Sequence, residues 1–146
     1  MSNRAVSRSR LVHASPADIF AIVSSPAGHV QIDGSGSVRA SIEGPDHLKL
    51  GDKFRMDMKM GLPYKMWSTV VEFEQDRLIA WAHFGKHRWR FELEPVGDDT
   101  MVTHTFDWST ARSPKFIELM GYPKKHPANL EATLERLAAA VETDGD

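Results

Sequence analysis

From Val38 to Trp108 the chain alternates apolar and polar residues in short runs separated by turn residues, a period-two pattern that fits β-strands. Val38, Ala40 and Ile42 open the series, and Gly44-Pro45-Asp46 turns the chain. Phe54, Met56, Met58 and Met60 then alternate with Arg55, Asp57 and Lys59 up to the break at Gly61 and Pro63. Trp67, Thr69, Val71 and Phe73 follow, and after a turn near Gln75-Asp76 come Ile79, Trp81 and His83. Beyond Gly85, His87, Trp89, Phe91 and Leu93 alternate with Arg88, Arg90, Glu92 and Glu94. Gly97-Asp98-Asp99 makes the next turn, and Val102, His104, Phe106 and Trp108 share one face of the last strand. Six strands joined by short turns make an antiparallel meander. Each has one apolar and one polar face, so the sheet needs covering on one side only.

The rest of the chain supplies an opening strand and the cover. Val6 to His13 reads as a first strand. Ser15-Pro16 is a helix start, with serine as N-cap, proline at the first helical position and Asp18 complementing the helix dipole. That helix should run to about Ser24 and stop near Pro26, and a second short one covers Ala27 to Ile32. After Ser113-Pro114 a helical piece containing Phe116, Ile117 and Met120 reaches a break at Gly121-Tyr122-Pro123. From Pro127 onward Leu130, Leu134, Leu137 and Val141 recur at helical spacing, a stripe suited to lying on a sheet. The fold expected is α+β: a curved seven-stranded antiparallel sheet wrapped around a long C-terminal helix, with two short helices after strand 1.

Length and composition narrow the function classes. A chain of 146 residues suits a single domain over 1–146, with its core at about 5–142, and buries roughly 70% of its unfolded surface. There are no cysteines, which removes disulfides, thiolate zinc sites and cysteine nucleophiles. Met1 to Arg10 is polar and basic without a signal-like apolar stretch, and no run approaches the ~20 apolar residues of a membrane span. The cytoplasm is therefore the expected location, without integral membrane association. The formal net charge is −2 with scattered Lys and Arg, and Arg4, Arg8 and Arg10 read as a solvated strand face, so no nucleic-acid partner is expected.

This order of elements resembles the helix-grip fold of the START/SRPBCC superfamily, and within it the polyketide cyclase/dehydrase-like group. The likeness is carried by the opening strand running into HASPADIFAIVSSPAGHVQIDG, by VVEFEQDRLIAW and HRWRFELEP, by THTFDWSTARSP, and by HPANLEATLERLAAAVE. It implies a ligand pocket between the sheet and the last helix. The superfamily holds lipid carriers, aromatase/cyclases, hormone receptors and chaperone co-factors, and no catalytic signature of it transfers to named residues here.

By strand parity the inward faces carry Trp67, Trp81, Trp89 and Trp108, all the tryptophans of the chain. Phe91, Phe106 and the row Met56, Met58 and Met60 join them, with Val71, Met120 and Leu130 completing the apolar lining. Two readings stay open: a solid core with methionine as gap filler, or a pocket lined by some of these side chains. A dry void of roughly 300 Å3 would cost about 7 kcal/mol, against a total stability of about 5–15 kcal/mol. Such a space must be hydrated, occupied or closed by side chains.

His83, His87 and His104 also fall on the inward face and are the candidate general acid/base residues, because burial can tune an imidazole near neutrality. Their spacing does not converge them and no inward carboxylate completes a set, so neither a metal nor another cofactor is expected. The leading function is binding of a hydrophobic small molecule: a lipid, an isoprenoid or an aromatic polyketide. The alternatives are a polyketide aromatase/cyclase using a pocket histidine, and a chaperone-co-factor-like protein-binding adaptor.

Overall fold

A computed structural model describes the backbone of residues 5–32, 38–43, 47–60, 62–82, 87–109, 115 and 122–142, and their side chains except at 26, 27, 30, 38–43, 55–60, 62–66 and 122–127. The strands are β1 (Ala5–Val12), β2 (Val38–Glu43), β3 (Lys53–Met60), β4 (Leu62–Glu74), β5 (Leu78–Ala82), β6 (Arg88–Val96) and β7 (Asp99–Asp107). They form one antiparallel sheet in the order β1-β7-β6-β5-β4-β3-β2. The helices are α1 (Pro16–Val23), α2 (Pro26–Ile32) and α3 (Tyr122–Glu142).

Local chemistry sets most of these boundaries. Ser15 caps α1, its Oγ accepting from the Asp18 N–H at 3.2 Å, and Pro16 takes the first helical position. Gly97 occupies the first of the two residues between β6 and β7 at φ +62°, a conformation that glycine adopts without strain. Helix α3 begins at Tyr122, earlier than the apolar stripe alone predicts. Pro123 lies in its first turn, where a missing N–H costs nothing, and Pro127 gives up only one backbone bond.

The cover is shared, not left to α3 alone. Helix α3 packs on β1 and β7, α1 reaches β6, α2 reaches β2, and α3 touches both short helices. Leu130, Leu134 and Leu137 of the predicted stripe are buried with Ala138 beside them, Val141 is only partly buried, and each fully buried leucine stabilises by about 1.5–3 kcal/mol. At its edge α3 is tied to β1 by the exposed pair Arg8 and Glu131 at 3.0 Å.

Strand β4 contains a feature that inverts the alternation. Val70 pairs with Trp81 and Glu72 with Ala80, so Val71 is an extra residue and the register shifts. This is a β-bulge, which re-aims every side chain beyond it. Ser68 and Val70 are buried on one side of the bulge, whereas Phe73 packs against the core on the other.

Helices α1 and α2 meet at Gly28. A Cβ at this position would lie 2.1 Å from the Ile22 carbonyl oxygen and 2.9 Å from its carbon. The clash is with backbone, which cannot swing aside. Gly28→Ala should therefore destabilise the fold by about 1–3 kcal/mol or more, read as a lower urea midpoint with an unchanged slope. A midpoint equal to wild type would show that the helices can separate without cost.

Candidate ligand-binding site

Register assembles the inner face into rows. One row crosses five strands through Val6, Phe106, Trp89, Trp81 and Val70. The next runs through His104, Phe91, Ile79 and Phe73. Along these rows the interior divides into two apolar clusters. The larger contains Trp81, Phe54 and Phe91 together with Leu134 and Leu137 of α3. The smaller consists of Phe106 and Trp108 with Val6 beside them. Trp89, partly buried, packs against both.

Stacked rings close the larger cluster. His29 of α2 lies over Trp81 with ring centroids 4.2 Å apart and planes at 22°, and Phe54 meets both rings edge-on. His104 lies over Phe91 at 3.9 Å with planes only 6° apart. Both histidines are buried, and each is tied to a backbone carbonyl: His29 Nε2 to Val23 at 2.7 Å, His104 Nδ1 to Arg90 at 3.0 Å. A carbonyl only accepts, so those nitrogens carry the proton, and in the neutral rings His29 Nδ1 and His104 Nε2 are the basic atoms.

The smaller cluster is buried, with partly buried Trp89 and Val6 at its edge. Trp89 lies 4.7 Å from Phe106, and Phe106 stacks on Trp108 at 5.7 Å. His87 packs against Phe106 with centroids 5.4 Å apart. Burial disfavours its charged form and holds the His87 pKa below the ordinary 6.5. A neutral imidazole beside an aromatic wall can accept a proton or a hydrogen bond.

Trp67 departs from the expected lining. It is 48% exposed, on the face opposite Ser68, because the bulge at Val71 reverses the parity on which its inward placement rested. Val71, the bulge residue, is partly buried. Trp81, Trp89, Phe91, His104, Phe106 and Trp108 lie on the inner face, and Leu130 is buried on α3. His83 and Met120 lie outside the described residues, as do the side chains of Met56, Met58 and Met60. The alternation did not reveal His29. The detectable signal was its place three residues before the buried Ile32, on the same face of a short helix. Among the described residues no group of three or more His, Asp or Glu side chains could hold a metal ion.

On the outer face Glu72 of β4 accepts a fork from Arg90 of β6, Nε at 3.0 Å and Nη2 at 2.8 Å, and a third bond from Arg88 Nη1 at 2.6 Å. Arg90 also reaches Asp107 of β7 at 3.4 Å. The Arg90 hydrogen bond is the main reason the Glu72 pKa lies below the usual carboxylate value. Between Glu72 and Arg90 in the row sits Ala80, fully buried although it faces outward. Only a small side chain lets the fork close above it. These charges are structural, and Asp107 is engaged here on the face opposite His104.

Residues 3–142 match the protein family described as polyketide cyclase / dehydrase and lipid transport. The chain belongs to that family. It is 43% identical over 139 residues to uncharacterized protein Rv0088 of Mycobacterium tuberculosis, a match covering 91% of this chain and 62% of the relative. The chain thus spans less than two thirds of the length of the curated relatives it matches. Among solved structures, protein NE0264 from Nitrosomonas europaea is similar with a TM-score of 0.72 at 12% identity, over 99% of both chains. Norcoclaurine synthase from Thalictrum flavum, in complex with dopamine and hydroxybenzaldehyde, is similar with a TM-score of 0.65 at 16% identity, over 93% of this chain and 84% of that one. At such identities the likeness establishes the fold, which is of the helix-grip, SRPBCC type. No helix among the described residues is long and apolar enough to cross a membrane.

The partly buried His87 imidazole makes stability depend on pH. The unfolded chain protonates His87 near 6.5 and the folded chain only below that, so the unfolded state binds more protons as pH falls through 6.5. Stability is complete above that value and declines until the lower folded pKa is passed. Wild type should lose more stability than His87→Leu between about pH 7.5 and about pH 5.5, compared by urea midpoints. Equal losses would show that His87 is solvated in the fold.

Proposed function

We propose that the protein binds a hydrophobic small molecule, a lipid, an isoprenoid or an aromatic polyketide, between the inner face of the sheet and α3. In this reading residues 1–146 act as one START-like domain in the cytoplasm, with a core at about 5–142. The observation that carries it is the environment of Trp89. This indole sits on the inner face with apolar neighbours on both sides, yet it and His87 remain only partly buried while Phe91 and Phe106 are sealed. Solvent reaches the apolar face there, and partly exposed aromatic surface under a helical cover suits a ligand with few polar groups. Trp89 and His87 are the residues we assign to the lining, with Phe106 and Trp108 packed beneath them.

Tryptophan emission offers a direct test once the exposed indole is removed. In a Trp67→Phe background, titration with a panel of lipids, isoprenoids and polyphenols should change the emission, and Trp89→Phe on that background should remove most of the change. Native mass spectrometry after incubation with an organic extract should retain a bound species. No adduct, together with unchanged emission across the panel, would eliminate the reading.

A second reading, an aromatase/cyclase-type enzyme, is favoured by one observation: His87 is held neutral beside the aromatic wall and can act as a base at neutral pH. His104 and His83 are the other candidates. Loss of polyketide turnover in His87→Ala with the fold retained would support it. Full turnover in the alanine variants of all three histidines would remove it.

A further inference from the structure

We propose that the outer face of the sheet docks a basic amphipathic helix of a partner protein, seated in a groove across β5, β6 and β7. The proposal does not depend on the ligand-binding reading, which concerns the opposite face. Register places Leu78, Glu92 and Thr103 in one outward row, and Glu94 and Met101 in the next. With Glu74 and Arg77 at one end, these side chains line a groove of about 310 Å3. Leu78 and Met101 are partly buried in it. Leu11 of β1, paired with Met101 and 37% exposed, extends the apolar strip beyond β7.

Charge selects the occupant. Further along β6, Arg88 and Arg90 are matched by Glu72 and Asp107, so that network is balanced within itself. Arg77, on the rim of the groove, is matched by Glu74 at 3.7 Å. Glu92 and Glu94 are exposed and have no ion pair among the described residues. Two uncompensated negative charges therefore stand beside leucine and methionine, which complements lysine or arginine flanking an apolar stripe. The same charges turn away phosphate, so neither an anionic lipid surface nor a nucleic acid fits.

The form of the segment follows from the sheet. A strand adds to an open edge, but β5, β6 and β7 each have a paired neighbour on both sides. The groove thus offers side chains, which suits a helix, whose backbone bonds are made internally. From Leu78 on β5 to Leu11 on β1 is three strand spacings, about 14 Å, which about ten helical residues span.

The test uses the full chain and a fluorescein-labelled peptide of about 14 residues with leucine and lysine at helical spacing. Its counterpart carries glutamate in place of lysine. By fluorescence anisotropy the lysine peptide should bind, and the glutamate peptide at least about tenfold more weakly. Glu92→Gln with Glu94→Gln should weaken the lysine peptide by about tenfold. Glu131→Gln with Glu135→Gln, which removes the same charge from α3, should change it less than about twofold. Met101→Gln should also weaken it, and the Leu78 and Met101 methyl signals of the wild type should shift on binding, a readout that needs no variant to fold. No binding of the lysine peptide, equal weakening by the two charge pairs, or unmoved methyl signals would overturn the proposal. So would a dimer of the protein alone that Met101→Gln dissolves, since a second copy would then cover this face.

Discussion

The contact between His29 and Trp81 is the constraint on which the inner face depends. Helix α2 has seven residues, too few to hold a helix in isolation. It persists because Gly28 lets it press against the Ile22 carbonyl and because His29 lays a ring on the sheet. One short segment thereby converts a tryptophan that could have lined an open space into part of a sealed wall. The partly buried surface lies elsewhere on the inner face, at Trp89 and His87. What the family shares is the scaffold; which part of the interior is filled and which is left open is set by individual side chains such as this one.

Much of the architecture was legible in the alternation. The strand order, the capping of α1 by Ser15, and the leucine stripe of α3 followed from period, turn chemistry and spacing. Strand parity placed Phe91, His104, Phe106 and Trp108 correctly because β6 and β7 pair without interruption. It failed at Trp67 because one inserted residue, Val71, leaves the apolar content of β4 unchanged while reversing which residues face inward. No local pattern distinguishes a bulge from a continuous strand when valines stand at both 70 and 71. The extra turn of α3 was missed for a related reason, since two prolines in its first six residues read as a stop although the backbone tolerates them near a helix start.

The candidate site was less legible than the fold. Sequence alone grouped three histidines as equivalent, whereas the structure gives His104 a ring partner and a carbonyl, and leaves His87 partly buried against Phe106. Such distinctions come from tertiary neighbours, which a one-dimensional pattern cannot encode. His29 belonged to no strand and so escaped a reading built on strands, although it caps Trp81 on the inner face.

The two faces of this sheet are held by different forces. Outside, Glu72 and Arg90 meet above Ala80 and shield the middle strand with charge. Inside, rings and leucines do the same by excluding water. Dissolved ions screen the first only weakly, because the fork is partly buried, and, when strongly hydrated, reinforce the second. A strongly hydrated salt therefore tightens the inner surface of β5 and leaves the outer one nearly unchanged, so its five residues feel the solvent mainly from one side.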